Sequence, residues 1–257
     1  MRVLDMSPYQ PFRRMGVSCR TRPLRDKQVL WVKPEPLLSR DGRFVGRVLS
    51  RADVPQAAVL WRRAYPEIYG SQHDFLLHPE DYDHRVALLE TWEQDSRAKP
   101  TCMLVAEERA TQRLAAATLM TKFDANLEIQ FSLAGTDPDF RRLGLMNLLG
   151  RLMYPMAKAS GAEYLTTFLE TWHTITQDLT LRPTSGWRVA GIFPGNMTRW
   201  AGGQEEYRAW EVYLYRFINN GERYATRPRE WHLHPELQRL WEALEEVNRR
   251  LGREPWE

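Results

Sequence analysis

Apolar and polar residues alternate without a break between positions 127 and 134. Leu127, Ile129, Phe131 and Leu133 take one side, and Glu128, Gln130, Ser132 and Ala134 take the other. A period of two predicts a β-strand. Positions 145–159 follow with apolar residues at helical spacing, and Gly161 marks the region where that helix should end. The same reading predicts further strands at 44–49, 101–106, 114–122, 163–169, 187–193 and 208–218. It predicts helices at 54–64, 83–95 and 235–251, with a short helix or turn at 173–180. Asp53 stands where the cap of the first helix belongs, and Pro66 stops that helix.

The resulting order, β-α-α-β-β-β-α-β-α-β-β, describes an α/β domain over residues 44–218. Residues 1–43 contain Pro8, Pro11, Pro23, Pro34 and Pro36 and read as an extended N-terminal segment. Residues 219–257 read as a C-terminal extension ending in a helix. Its Leu237, Leu240, Trp241, Leu244, Val247 and Leu251 share one stripe, which packs on its own domain or on a second copy of the chain as a homodimer. The Gly-rich stretch 194–204, with Trp200, is expected to be a loop, either a lid or plain surface.

A central strand covered by helices on both sides should be apolar on both faces. The polar face at 127–134 therefore lines a cavity or belongs to a strand face left uncovered. Glu128 is the first candidate for a general base there, with Gln130 orienting it or the substrate.

The turn after this strand, Thr136-Asp-Pro-Asp-Phe-Arg-Arg-Leu-Gly-Leu-Met146, is the most specific feature of the chain. A strand–turn–helix connection of this kind aims free backbone N–H groups at one point, where the helix dipole adds positive potential. It is suited to a pyrophosphate. Gly144 would allow close approach, and Arg141 and Arg142 would add charge-assisted hydrogen bonds.

These residues resemble the acyl-CoA-binding segment of the GNAT N-acetyltransferase superfamily, roughly V-x-P-x-x-[RQ]-x-x-G-x-[GA]. Pro138, Arg141 and Gly144 match in register, whereas Thr136 replaces the Val and Met146 the final Gly or Ala. The resemblance covers residues 44–218. It implies a mixed central sheet flanked by helices and splayed between the strands at 127–134 and 163–169. It implies acetyl-CoA, or another acyl-CoA, as co-substrate, held by Arg141, Arg142, Leu143, Gly144, Leu145 and Met146, with Ala134 and Thr136 on the preceding strand. Met146 puts bulk where the family keeps the helix start open, which implies weaker or rearranged binding. The implied activity is N-acyl transfer, most simply N-acetyl transfer, to a small-molecule or peptide amine. A family Glu on the corresponding strand would align with Gln130, two residues beyond Glu128. His173, after the strand at 163–169, is a second candidate base. The Tyr that protonates the leaving thiolate in many members corresponds to Arg182 here. A non-catalytic acyl-CoA-binding protein of the same fold is the alternative.

Composition narrows the setting. With 43% hydrophobic and 27% charged residues in 257, the chain reads as globular, and no apolar run reaches the length of a membrane span. Nothing at the N-terminus reads as a signal peptide, so a cytoplasmic setting is the default. Cys19 and Cys102 are too far apart to suggest a zinc motif, and no metal is expected. The segment 65–84 is rich in His, Asp and Glu, but its spacing matches no recognised metal site. It suits the wall of an acceptor pocket for a cationic amine. Residues 1–47 carry a net charge of +7 and the remainder −4. A nucleic-acid module built on that arm is a third reading, which the scattered arginines argue against.

Overall fold

The computed structural model describes residues 20–23 and 25–255. Cys19 and the first part of the basic arm lie outside them. Among the described residues one sheet contains β1 (Leu37–Leu38), β2 (Phe44–Val48), β3 (Val86–Ala87), β4 (Thr101–Glu108) and β5 (Arg113–Phe123). It continues with β6 (Glu128–Thr136), β7 (Tyr164–Glu170), β8 (Arg188–Gly202) and β9 (Glu205–Phe217). The helices are α1 (Val54–Ala64), α2 (Tyr82–Arg85), α3 (Trp92–Ala98), α4 (Leu145–Ala159), α5 (Thr174–Thr180) and α6 (Pro235–Arg250). Strand order is β1-β2-β4-β5-β6-β7-β9-β8, with β3 beside β4. Neighbours run antiparallel except the β3–β4 and β6–β7 pairs.

Two apolar cores lie on opposite faces of the sheet, because β4 and β5 alternate fully buried side chains. Cys102, Leu104 and Ala106 face α4, whose Leu145, Leu148, Leu149 and Leu152 cover them. Met103 and Val105 face α1, whose Ala57, Leu60 and Trp61 cover them. Glycines set both helix-to-sheet distances. A Cβ at Gly46 would lie 2.9 Å from Leu152 of α4, and one at Gly135 would lie 2.9 Å from Trp61 of α1.

The β6–β7 pairing is short. Glu128 to Phe131 pair with Tyr164 to Thr167, and beyond that point the strands part. The Thr167 hydroxyl donates to the Phe131 carbonyl at 2.9 Å, closing the ladder where it ends. On its other edge β6 bulges at the same place. Leu133 lies opposite Leu119 and Phe131 opposite Met120, leaving Ser132 as the extra residue.

This bulge breaks the alternation expected for 127–134. Leu127, Ile129 and Phe131 pack on the α4 side, but Leu133 is turned to the α1 side. Leu127 itself precedes the strand in a left-handed conformation, φ 48°. Helix 83–95 is also not continuous. Val86 and Ala87 pair with Thr101 and Cys102, and Asp95 accepts from the Leu88 amide. Val86, Ala87 and Leu88 are all buried, and a sheet edge satisfies their backbone while hiding all three. The expected loop at 194–204 is mostly strand. β8 tolerates Pro194 and its glycines because it is the outer strand and shifts register three times against β9. Asp53 does not cap helix amides; its carboxylate accepts from Ser50 and Arg47.

Both extensions join the domain. Val29 and Trp31 lie in the α4-side core. In the C-terminal extension, Asn248 presents both ends of its amide to Val189, accepting from its N–H at 2.7 Å and donating to its C=O at 3.1 Å. It thereby acts as a strand partner on the outer edge of β8. Arg253 is buried and donates to the carbonyls of Leu181, Arg182, Pro183 and Trp187. Leu237, Leu240 and Val247 of the α6 stripe are exposed, while Trp241 sits against Trp231 with ring centroids 4.7 Å apart.

Candidate active site

The site is built where β6 and β7 separate. A strand offers alternate N–H and C=O groups to each neighbour. From Ser132 to Thr136, β6 keeps β5 on one side and has lost β7 on the other. Its β7-facing backbone groups therefore open into a wedge.

At the exit of β6 the chain makes a turn at 137–144 and enters α4. The Asp137 carboxylate accepts from the Asp139 amide at 3.0 Å and pairs with Arg63 of α1 and Arg113 of β5. Asp139 pairs with the same two arginines at 3.0 Å each. The two acids of the turn are thus neutralised by side chains behind it, which leaves Arg141 and Arg142 exposed and free to face an anion. Arg142 and Gly144 are left-handed, with φ 67° and 73°. Gly144 caps α4, and its carbonyl takes the amides of Asn147 and Leu148. Among the described residues no acceptor receives the amides of Arg142, Leu143, Gly144, Leu145 or Met146. A Cβ at Gly144 would meet nothing within 4 Å, so this cluster of donors is open to approach. Met146 does not crowd it: the side chain is half-buried against the α4-side core. The turn fits a pyrophosphate.

The second part of the site lies on the α1 side of β6, β7 and β9. Glu128 and Gln130 stand opposite Tyr164 and Thr166. Glu128 accepts from Asn126 at 2.8 Å and from Thr166 at 2.5 Å. Farther along, Phe168 lies opposite Tyr213 and Glu170 opposite Glu211. Strand rise places Glu128 and Glu170 about 10 Å to either side of the parting point. His173 is beyond Glu170, exposed, with Nδ1 bonded to Thr176 at the start of α5. Glu128, on the paired side, and His173, beyond the open end, therefore lie on opposite sides of the parting point.

At the Glu170 end a buried polar cluster was not legible as a unit in the sequence. Arg199 of β8 is 2% exposed and donates to Glu170 at 3.0 Å and Glu211 at 3.2 Å. Glu211 also accepts from Asn196 at 2.8 Å, and the Tyr65 hydroxyl donates to Glu170. Burial pushes the Glu211 carboxyl up, against the opposing pull of Asn196 and Arg199. Burial also pushes the Tyr65 phenol up, which keeps it a donor. His73 is buried, its Nδ1 has no partner, and desolvation with Arg199 nearby lowers it to about 4. The available signal was a charge inside each strand pattern, Glu211 within Trp-Glu-Val and Arg199 within Thr-Arg-Trp.

The remaining acids and histidines of 65–84 are dispersed: His78 pairs with Asp74 and Asp83 with Arg51. Among the described residues no group of three or more His, Cys, Asp or Glu is placed to hold a metal. No helix among them is long and apolar enough to cross a membrane.

A mixed sheet splayed between a parallel pair, with an amide-rich glycine turn at the exit of the inner strand, is the GNAT acetyltransferase fold, and this chain has it. Ribosomal-protein-S5-alanine acetyltransferase from Vibrio fischeri is similar over 71% of this chain and 96% of its own, with TM-score 0.54 and 10% identity. Spermidine N-acetyltransferase from Vibrio cholerae matches 70% of this chain and 96% of its own, with TM-score 0.52 and 12% identity. A GNAT-family acetyltransferase from Streptococcus pneumoniae matches 68% and 99%, with TM-score 0.51 and 16% identity. No family model and no curated protein sequence matches the chain, so the likeness is one of fold.

Proposed function

We propose that this protein is an acyl-CoA-dependent N-acyltransferase, most simply an N-acetyltransferase, acting on an amine. The observation that carries the reading is the wedge opening beyond Phe131 and Thr167, with five unengaged amides at the mouth of the same strand. Bound acetyl-CoA would supply an acetyl thioester, and the net reaction forms the C–N bond of an amide, breaks the C–S bond and releases a thiol. The main-chain N–H groups of Leu143 to Met146 would hold the pyrophosphate, with Arg141 and Arg142 adding charge. Ala134 and Thr136 would line the path along β6. A β7-facing N–H of β6 near Ser132 would stabilise negative charge on the reacting carbonyl oxygen. Glu128 would take the proton of the ammonium through water, since the parting point is about 10 Å away. Gln130, on the same face, would orient that water or the amine. His173 is in reserve as a base at the far end, and positioning supplies the rest.

The test is acetyl-CoA binding by calorimetry together with thiol release across an amine panel. Gly144→Glu should abolish binding, because a carboxylate would project among the amides. Gly144→Asn, which tolerates the left-handed backbone, should retain most of it. Equal acetyl-CoA affinity in folded Gly144→Glu would overturn the reading.

A further inference from the structure

The face of the sheet that carries Glu128 is unusual in its aromatic content. The rings of Tyr164 and Tyr215 are stacked 6.1 Å apart, and those of Phe168 and Tyr213 4.8 Å apart. Phe193 meets Phe168 and Tyr213 edge-on at 6.0 and 5.3 Å. Register puts these rings on the same side as Glu128, Gln130, Glu170 and Glu211. Tyr164, Phe168 and Tyr213 are half-buried, whereas the aliphatic residues on the opposite side of the same strands, Leu165, Leu169 and Leu214, are sealed in the core.

Charge on this face is unbalanced. Glu128 is held only by the neutral groups of Asn126 and Thr166 among the described residues. Glu170 and Glu211 share the single cation Arg199. An aromatic surface with unneutralised carboxylate at both ends attracts a cation, since ring faces and carboxylates draw the same charge. The ring surface between them offers stacking area to a flat body.

Resting on the acyltransferase reading above, we infer that the acceptor is an ammonium carried on an aryl body, with the cation over the Phe168–Tyr213 pair between Glu128 and Glu170. A long polycation would find the acids and the ring faces but has no flat body to stack on them, whereas an aryl ammonium uses charge and stacking together.

The experiment measures thiol release by the full-length protein with acetyl-CoA and 2-phenylethylamine, spermidine or an alanine-terminated peptide as acceptor. Expected is a preference for 2-phenylethylamine in kcat/KM. Phe168→Leu and Tyr213→Leu, which keep apolar bulk and remove the ring, should each raise KM for it about tenfold with kcat little changed. Phe168→Tyr should restore wild-type KM, which separates loss of the ring from misfolding. Calorimetric acetyl-CoA affinity should be the same in all variants. Absence of 2-phenylethylamine turnover while acetyl-CoA still binds overturns this inference and leaves the acyl-CoA reading standing. So does a KM unmoved by either Leu variant. Failure of the wild-type protein to bind acetyl-CoA removes both.

Discussion

The two halves of the sheet are built on different principles. β4 and β5 lie between α1 and α4, and their residues 102–106 and 114–120 are packed to zero or near-zero exposure on both faces. β6 shares the α4-side core but carries half-buried Glu128 and Gln130 on its other face. From β7 to β8 the α4-side face keeps Leu165, Leu169 and Leu214 in the core, but the α1-side face carries half-buried rings, the carboxylates of Glu170 and Glu211 and the buried Arg199. The strands themselves are continuous across the join, since β6 and β7 share four residue pairs before they separate. The contrast teaches where stability and chemistry are separated. Close packing leaves no room for a ligand in the half that holds the fold together. The splayed half gives up packing on one face and gains a surface that can bind one.

Deleting a packed side chain in the first half should be the most damaging change. Trp61→Ala empties a fully buried site against Gly135 and should cost about 3–5 kcal/mol by urea denaturation. Phe193→Ala removes a ring that is 42% exposed, and should cost about 1 kcal/mol or less. Comparable losses would mean that the second half is as tightly closed as the first. Glu128→Gln should invert the pattern, leaving the urea midpoint near wild type while lowering the acetylation rate by about 10²–10⁴. Its acetyl-CoA affinity should hold, and the acidic limb of the pH–rate profile should shift or vanish. A wild-type rate on a confirmed acceptor would remove Glu128 as the base.

A subtler test probes how well the polar cluster of the second half is sealed. His73 is held neutral by burial, to about 4 from an ordinary 6.5. Its folded-state value lies below its unfolded one, so as pH falls the unfolded chain takes up the proton first. The stability contributed by the neutral ring is complete above pH 6.5 and is lost as pH falls towards 4. At about 1.4 kcal/mol per pH unit this reaches about 3 kcal/mol. Comparing urea stability at pH 7 and pH 4.5, wild type should lose more than His73→Leu. Parallel losses would show that solvent reaches the imidazole.

Element type and order were legible in the sequence because the long elements bury one face against a single neighbour. α1 and α4 have the predicted bounds 54–64 and 145–159, and their apolar spacing needs no distant partner to interpret. The glycine turn was legible for the same reason: a left-handed Gly144 before an apolar helix is a local event. The segment 83–95 misled because its helical period competes with a sheet edge contributed by Thr101 and Cys102. The stretch 194–204 misled because Gly and Pro read as loop wherever no partner strand is known.

What the sequence determined by itself was therefore the short-range part: strands, helices, the glycine turn before α4, and the presence of Glu128 and Gln130 on a polar strand face. Only the tertiary structure decided how far β6 and β7 stay paired, and it placed an unpaired Ser132 at that point, turning Leu133 to the other face. It alone brought together Tyr65, Glu170, Arg199 and Glu211, which are scattered over 147 positions from 65 to 211. The physical reason is one of range. Backbone propensity and periodicity act over a few residues, whereas the pairing of a buried charge depends on which distant strand supplies its partner.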